Sequence, residues 1–206
     1  MKKTNNKKLK LLEAWKNPFA ELTIAEIMHL TGKNSKPWVF NSLKLLTESQ
    51  LIIQERKGNL NLYHLDLNNP LLIQTLQFLE AESSYNFPHL SLIKETINKL
   101  PLSTYCLIIF GSYSNNTQKK ASDLDVCFLI ESQDAEKKIK PYFNDIKLSS
   151  PVNIDEHYIT FADFIKMLLR GEENLAKQIF RNHKIFFNPC IYYQLIKEAY
   201  KHGFRA

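Results

Sequence analysis

Two uninterrupted apolar runs constrain this chain more than any other feature: Thr104-Tyr105-Cys106-Leu107-Ile108-Ile109-Phe110 and Val126-Cys127-Phe128-Leu129-Ile130. Each has the length of a strand and lacks polar alternation, which predicts strands buried on both faces in a sheet covered by helices. The first ends abruptly in Gly111-Ser112. Ten residues later, after Tyr113 to Ser122, Asp123-Leu124-Asp125 opens the second, a pattern written GS-x10-DxD. Strand alternation puts Asp123 and Asp125 on one face, about 7 Å apart at their Cα atoms. Two ionised carboxylates beside Leu124, Val126 and Phe128 would cost several kcal/mol without a partner, and divalent cations are the natural one. The Gly-Ser turn presents backbone N–H groups at a helix start, and its glycine admits a phosphate closely, so a triphosphate is the expected companion.

The segment LIIFGSYSNNTQKKASDLDVCFLI resembles the signature of the DNA polymerase β nucleotidyltransferase superfamily, in particular the minimal nucleotidyltransferases found beside HEPN-domain toxins. The resemblance covers about residues 100–160. It implies a small mixed sheet flanked by helices and a third carboxylate on a later strand. It further implies two Mg2+ ions, with Mn2+ as the alternative, and a nucleoside triphosphate such as ATP. Pro151 to Thr160 is the strand-like candidate downstream. Within it Asp155, five residues before the Thr160 that precedes a helix, has the placement usual for the family and is preferred to Glu156. Asp123, Asp125 and Asp155 are thus the expected catalytic and metal residues, and Gly111, Ser112, Ser122, Lys119 and Lys120 the expected nucleotide-binding ones. An acceptor hydroxyl would attack the α-phosphorus and release pyrophosphate. Many minimal family members carry a small residue, an arginine and a glycine soon after the Gly-Ser. This chain has Tyr113-Ser114-Asn115-Asn116-Thr117, and its cations come later. Of the six histidines, only His157, two residues beyond Asp155 on the same strand face, is placed to touch the site.

The formal charge of +6 is unevenly distributed: residues 1–70 hold 11 Lys+Arg against 6 Asp+Glu, and the remainder 16 against 15. Part of the excess is the Lys2, Lys3, Lys7, Lys8, Lys10 start. A basic first third points to a polyanionic partner, most simply nucleic acid. Thr23 precedes Ile24, Ile27, Met28 and Leu30 at helical spacing, and Gly32 ends that helix. Ser35 caps a second one, with Pro37 in its first turn and Val39, Leu43 and Leu46 on one face. Two β-rich runs about Lys57-Gly58-Asn59 then predict a hairpin with a basic tip. This order resembles MarR- and ArsR-like winged helix-turn-helix regulators over residues 8–68. By that resemblance Lys33, Asn34, Lys36, Trp38 and Asn41 would face duplex DNA, and Arg56, Lys57 and Asn59 would reach phosphates. Docking to a protein is the competing use of the same module.

The expected class is therefore α+β. Residues 1–69 would form the winged helix, residues 70–100 connecting helices, and residues 101–206 the transferase domain, with C-terminal helices over 161–170, 172–182 and 189–202. Cys106, Cys127 and Cys190 form no CxxC pair and are expected as reduced thiols. With no apolar stretch of membrane length and a charged start, the expected location is cytoplasmic, without a membrane partner. The leading expectation is a metal-dependent transfer of AMP to a hydroxyl on a partner HEPN-type toxin. The alternatives are a DNA-binding regulator that uses the transferase fold as a sensor or docking platform, and transfer to a small molecule or RNA. A homodimer is an open arrangement.

Overall fold

In a computed structural model, which describes residues 6–205, local sequence signals set most element boundaries. Lys2 and Lys3 of the basic start lie outside the described residues. The chain divides into two units between Leu79 and Glu80.

In the first unit, α1 (Asn6–Leu9) leads into a 3-10 turn that buries Leu11, Leu12 and Ala14. Helix α2 (Ile24–Thr31) begins with a reciprocal cap: the Glu26 N–H donates to the Thr23 hydroxyl at 3.3 Å, and the Thr23 N–H donates to the Glu26 carboxylate at 2.7 Å. It ends on Gly32 at φ +64. Helix α3 (Lys36–Glu48) buries Val39, Leu43 and Leu46, the predicted face. Ser35 occupies its N-cap position, but the hydroxyl makes no capping bond. Strands β1 (Ile52–Lys57) and β2 (Leu60–Leu65) form an antiparallel hairpin about Gly58 and Asn59, with Ile52 opposite Leu65. A bridge between Leu22 and Tyr63 ties the segment before α2 to this hairpin. Helix α4 (Pro70–Ser84) carries the division between the units within its length, whereas the sequence reading puts boundaries at 69/70 and 100/101.

In the second unit, α5 (Leu90–Lys99) precedes β3 (Tyr105–Phe110), which is buried along its whole length. The single turn α6 (Gly111–Ser114) follows directly. Then come β4 (Leu124–Ile130), α7 (Gln133–Leu148), β5 (Ile154–Thr160), α8 (Phe161–Leu169), α9 (Leu175–Arg181), β6 (His183–Phe187) and α10 (Pro189–Lys201). The sheet order is β5-β4-β3-β6, with β3 antiparallel to both neighbours and β4 parallel to β5. A parallel pair needs a long crossover, and α7 supplies it. Nothing in the sequence pattern announces α7. Its apolar stripe is short (Ile139, Phe143, Ile146) and is interrupted by Pro141 among lysines. Helix α9 starts later than residue 172 because Asn174 caps it, accepting from the Lys177 N–H at 3.3 Å.

One face of the sheet, with Leu107, Ile109, Val126 and Phe128, belongs to a core shared with Leu92, Ile93, Ile139, Phe143 and Ile146. There Phe128 stacks on Tyr158 at 5.2 Å and meets Phe143 edge-on at 4.8 Å. Alternation puts Ile108, Cys127, Asp125, Asp155 and His157 on the opposite face. Cys106 and Cys127 are buried free thiols, and burial pushes both thiols up. No helix among the described residues is long and apolar enough to cross a membrane.

Candidate active site

The site grows from the end of β3. Gly111 turns the chain out of the strand at φ +63, in the left-handed region where a side chain is strained, and starts α6. Its missing side chain leaves room for another: a Cβ at Gly111 would lie 2.0 Å from Asp125 Oδ2 and 2.8 Å from its Cγ. The glycine of the Gly-Ser turn and the second aspartate of the DxD motif, separated in sequence by the whole loop, are thus packed against each other.

The Leu124 N–H donates to the Asn153 carbonyl at 2.8 Å, which begins the parallel pairing of β4 with β5. In that register Asp125 stands opposite Asp155. Asp123 lies one residue ahead of β4 and is exposed, so the strand opens at Leu124 rather than at the first aspartate. Burial holds the Asp125 carboxyl above the usual carboxylate range. The Asp155 and Asp123 charges push it further, while His157 pulls it down. His157 Nε2 is 3.2 Å from Asp155 Oδ2, and its ring lies 5.5 Å from that of Phe110. Glu156, the alternative third carboxylate, points to the other face and pairs with Lys147 of α7. The structure therefore brings together Gly111, Asp125, Asp155 and His157 and leaves Glu156 out.

The remaining predicted nucleotide contacts lie on or beside the loop after α6. Ser112 is half-buried, and its carbonyl accepts from the Thr117 N–H at 3.0 Å. Ser122 is occupied locally: its hydroxyl accepts from the Lys119 N–H at 2.9 Å, closing a turn. Lys119 and Lys120 are exposed on that loop.

The donor set fits a divalent cation in its chemistry: Asp123, Asp125 and Asp155 offer hard oxygens, and a cation would relieve the repulsion felt at Asp125. With side chains as they stand, no three His, Cys, Asp or Glu residues among the described ones form a ready-made metal cluster.

In the first unit, Lys33, Asn34, Lys36 and Asn41 are exposed and Trp38 is half-buried, with Lys33 Nζ 5.9 Å from its ring centroid. A cavity of about 420 Å3 lies between this turn and Lys7 and Lys10. Arg56, Lys57 and Asn59 are exposed at the hairpin tip. Lys57 is already held, donating to Glu21 at 2.7 Å, and Arg56 Nε donates to the Gly58 carbonyl at 3.2 Å.

Residues 90–186 match the family described as Nucleotidyltransferase domain, a span from the start of α5 to the penultimate residue of β6. No curated protein matches the chain. A solved structure described as "Crystal structure of the toxin-antitoxin with AMP-PNP" is similar at 16% identity and a TM-score of 0.35, over 55% of this chain and 88% of its own. On the match over residues 90–186, the protein is a transferase of the EC 2.7.7 type. Domains of this kind typically use divalent metals.

Proposed function

We propose that this nucleotidyltransferase transfers a nucleoside monophosphate, AMP from ATP, to a hydroxyl of an acceptor protein. The proposed acceptor is a HEPN-type toxin, which makes the chain an antitoxin. The observation that carries the transfer chemistry is the contact of Gly111 with Asp125, itself opposite Asp155 across β4 and β5. The likeness of GS-x10-DxD to the minimal nucleotidyltransferases supports the choice of nucleotide and acceptor.

Asp123, Asp125 and Asp155 would hold two divalent ions, most simply Mg2+. When bound, these supply charge stabilisation for the pentavalent phosphorus and the departing pyrophosphate. The Gly111 and Ser112 amides, at the turn into α6, would hold the outer phosphates, with Lys119 and Lys120 reaching in from the loop. Asp155 takes the proton of the acceptor hydroxyl, whose oxygen bonds to the α-phosphorus while the bond to the bridging oxygen breaks and pyrophosphate leaves. Asp155 suits this task because it sits on the edge strand β5 with its side chain 60% exposed, open to a macromolecular acceptor. Asp125, half-buried against Gly111, serves the nucleotide side.

The first unit would act as a winged helix, with α3 presented to DNA or to the partner and the hairpin as its wing. The exposed Lys33, Lys36 and Arg56 favour a second reading, a DNA-binding regulator in which the transferase fold senses nucleotide or serves as a docking platform. Incubation with labelled ATP, Mg2+ and separate protein, RNA and small-molecule acceptors tests the first. Transfer to a HEPN protein that disappears in Asp123→Ala/Asp125→Ala supports it. Absence of transfer by the wild type, or transfer that survives the double substitution, refutes it. Sequence-specific duplex binding in a protein that transfers nothing would favour the second reading.

A further inference from the structure

The chemistry proposed above leaves His157 without a task, although it touches the carboxylate assigned to the acceptor. We infer, resting on that transferase reading, that His157 is a positioning residue: its Nε2–H donates to Asp155 Oδ2 and leaves Oδ1 as the oxygen offered to metal and acceptor. A carboxylate has only acceptors, so a hydrogen bond at 3.2 Å requires the proton on Nε2. The imidazole is the better anchored of the two groups, with its side chain 33% exposed against 60% for Asp155. The ring is held beside Phe110, the residue before Gly111, at 5.5 Å between centroids and an inclination of 55°. Its strand register, opposite Cys127, keeps it on the face of Asp125 and Asp155.

An exposed aspartate on an edge strand rotates freely about its side-chain bonds, and ordering it would cost entropy each time the site assembled. A fixed N–H on one oxygen removes that freedom beforehand, as partners of metal-binding carboxylates do elsewhere. His157 thus clamps the acceptor carboxylate from the sheet face that also carries Asp125.

The test compares His157→Leu with His157→Gln in the full chain, because the Gln amide can reproduce the Nε2–H donor. Mn2+ affinity is measured by electron paramagnetic resonance without nucleotide or acceptor, pyrophosphate release from ATP in the presence of a HEPN-type acceptor protein gives kcat and KM, and thermal unfolding is followed alongside. In His157→Leu, Mn2+ affinity is expected to fall about 10- to 100-fold. The same variant loses kcat while its KM for ATP and unfolding temperature stay near wild type. His157→Gln recovers both affinity and kcat. Equal loss in the two variants, or no loss in His157→Leu, overturns the positioning role. Should His157→Leu fail to fold, His157→Asn, whose amide stops short of Asp155, replaces it with the same expectation. A wild type that binds Mn2+ no better than Asp123→Ala/Asp125→Ala overturns the transferase reading and this inference together. Wild-type binding and turnover left unchanged by His157→Leu remove the inference alone.

Discussion

Replacing Gly111 with alanine should damage the transferase in a way the geometry makes calculable. At φ +63 a Cβ costs about 1–2 kcal/mol from backbone strain alone. The new carbon would also sit 2.0 Å from Asp125 Oδ2, so that carboxylate must retreat by more than an ångström to reach ordinary contact. Forcing it off its rotamer adds about 0.5–1.5 kcal/mol. The expected total is about 1.5–3.5 kcal/mol, a fall of several degrees in unfolding temperature for a protein of this size. A displacement of about 1 Å at a reacting group is worth about a hundredfold in rate, so ATP-dependent transfer should drop by at least that factor. Gly32 and Gly58 are the controls: at φ +64 and +61 each is equally strained as alanine, but nothing lies within 4 Å of the added carbon. Their alanine variants should lose stability from strain and keep full transfer. A second arm places Gly111→Ala in an Asp125→Ala background. There the closest remaining atom of residue 125 is its Cβ at 3.4 Å, and the stability cost should shrink to the strain contribution. Wild-type transfer by Gly111→Ala, or an identical stability cost in both backgrounds, would refute the packing of glycine against carboxylate as the reason for the motif.

Other expectations follow from the same site and from the hairpin. The Asp125 carboxyl is raised in the fold by burial first and then by Asp155, so its contribution to stability is complete below the unfolded value and is lost as pH rises through the folded one. Asp125→Asn should therefore raise the unfolding temperature at neutral pH, with the gain vanishing below about pH 4, while transfer is abolished; destabilisation at neutral pH would contradict this. Asp155→Asn should lower transfer about 10²- to 10⁴-fold, whereas Glu156→Gln, which breaks only the pair with Lys147 on the far face, should leave it within about twofold; the reverse ranking in a kinetic comparison would reassign the third carboxylate. Glu21→Gln releases Lys57 and should steepen the salt dependence of duplex binding by about one unit of slope in fluorescence anisotropy. An unchanged slope would show that Lys57 does not reach phosphate.

Much of the transferase fold is legible because β3 is uniformly apolar and β4 is so beyond Asp125, so that both are recognised without knowledge of a partner, and Thr160 announces α8 by accepting from the Asp163 N–H at 3.1 Å. Alternation sends Asp155 and Glu156 to opposite faces, but the preference for Asp155 comes from the resemblance, through its placement five residues before Thr160. What alternation could not reveal is the partner of Glu156. Lys147 belongs to α7, whose lysines and internal Pro141 obscure a three-residue apolar stripe. Residues far apart in sequence carry the other surprises. Gly111 and Asp125 meet only because β3 and β4 are antiparallel neighbours, and Lys57 reaches back to Glu21 across the first unit. A basic hairpin tip read from composition thus proves to be half neutralised. Ser35 shows the opposite limit, a residue of the right type in the right place whose hydroxyl makes no cap.

The place of β6 in the sheet bears on how the protein can be cut. This strand pairs with β3 along the side that β4 does not occupy, and it comes from near the end of the chain. A fragment ending before His183 would leave Leu107 to Phe110 as an unpaired apolar border, the kind of edge that recruits other chains into aggregates. Soluble pieces carrying the aspartates should therefore extend past Phe187. Strand β6, although distant from the carboxylates in sequence, covers the border of β3 that their sheet would otherwise leave open.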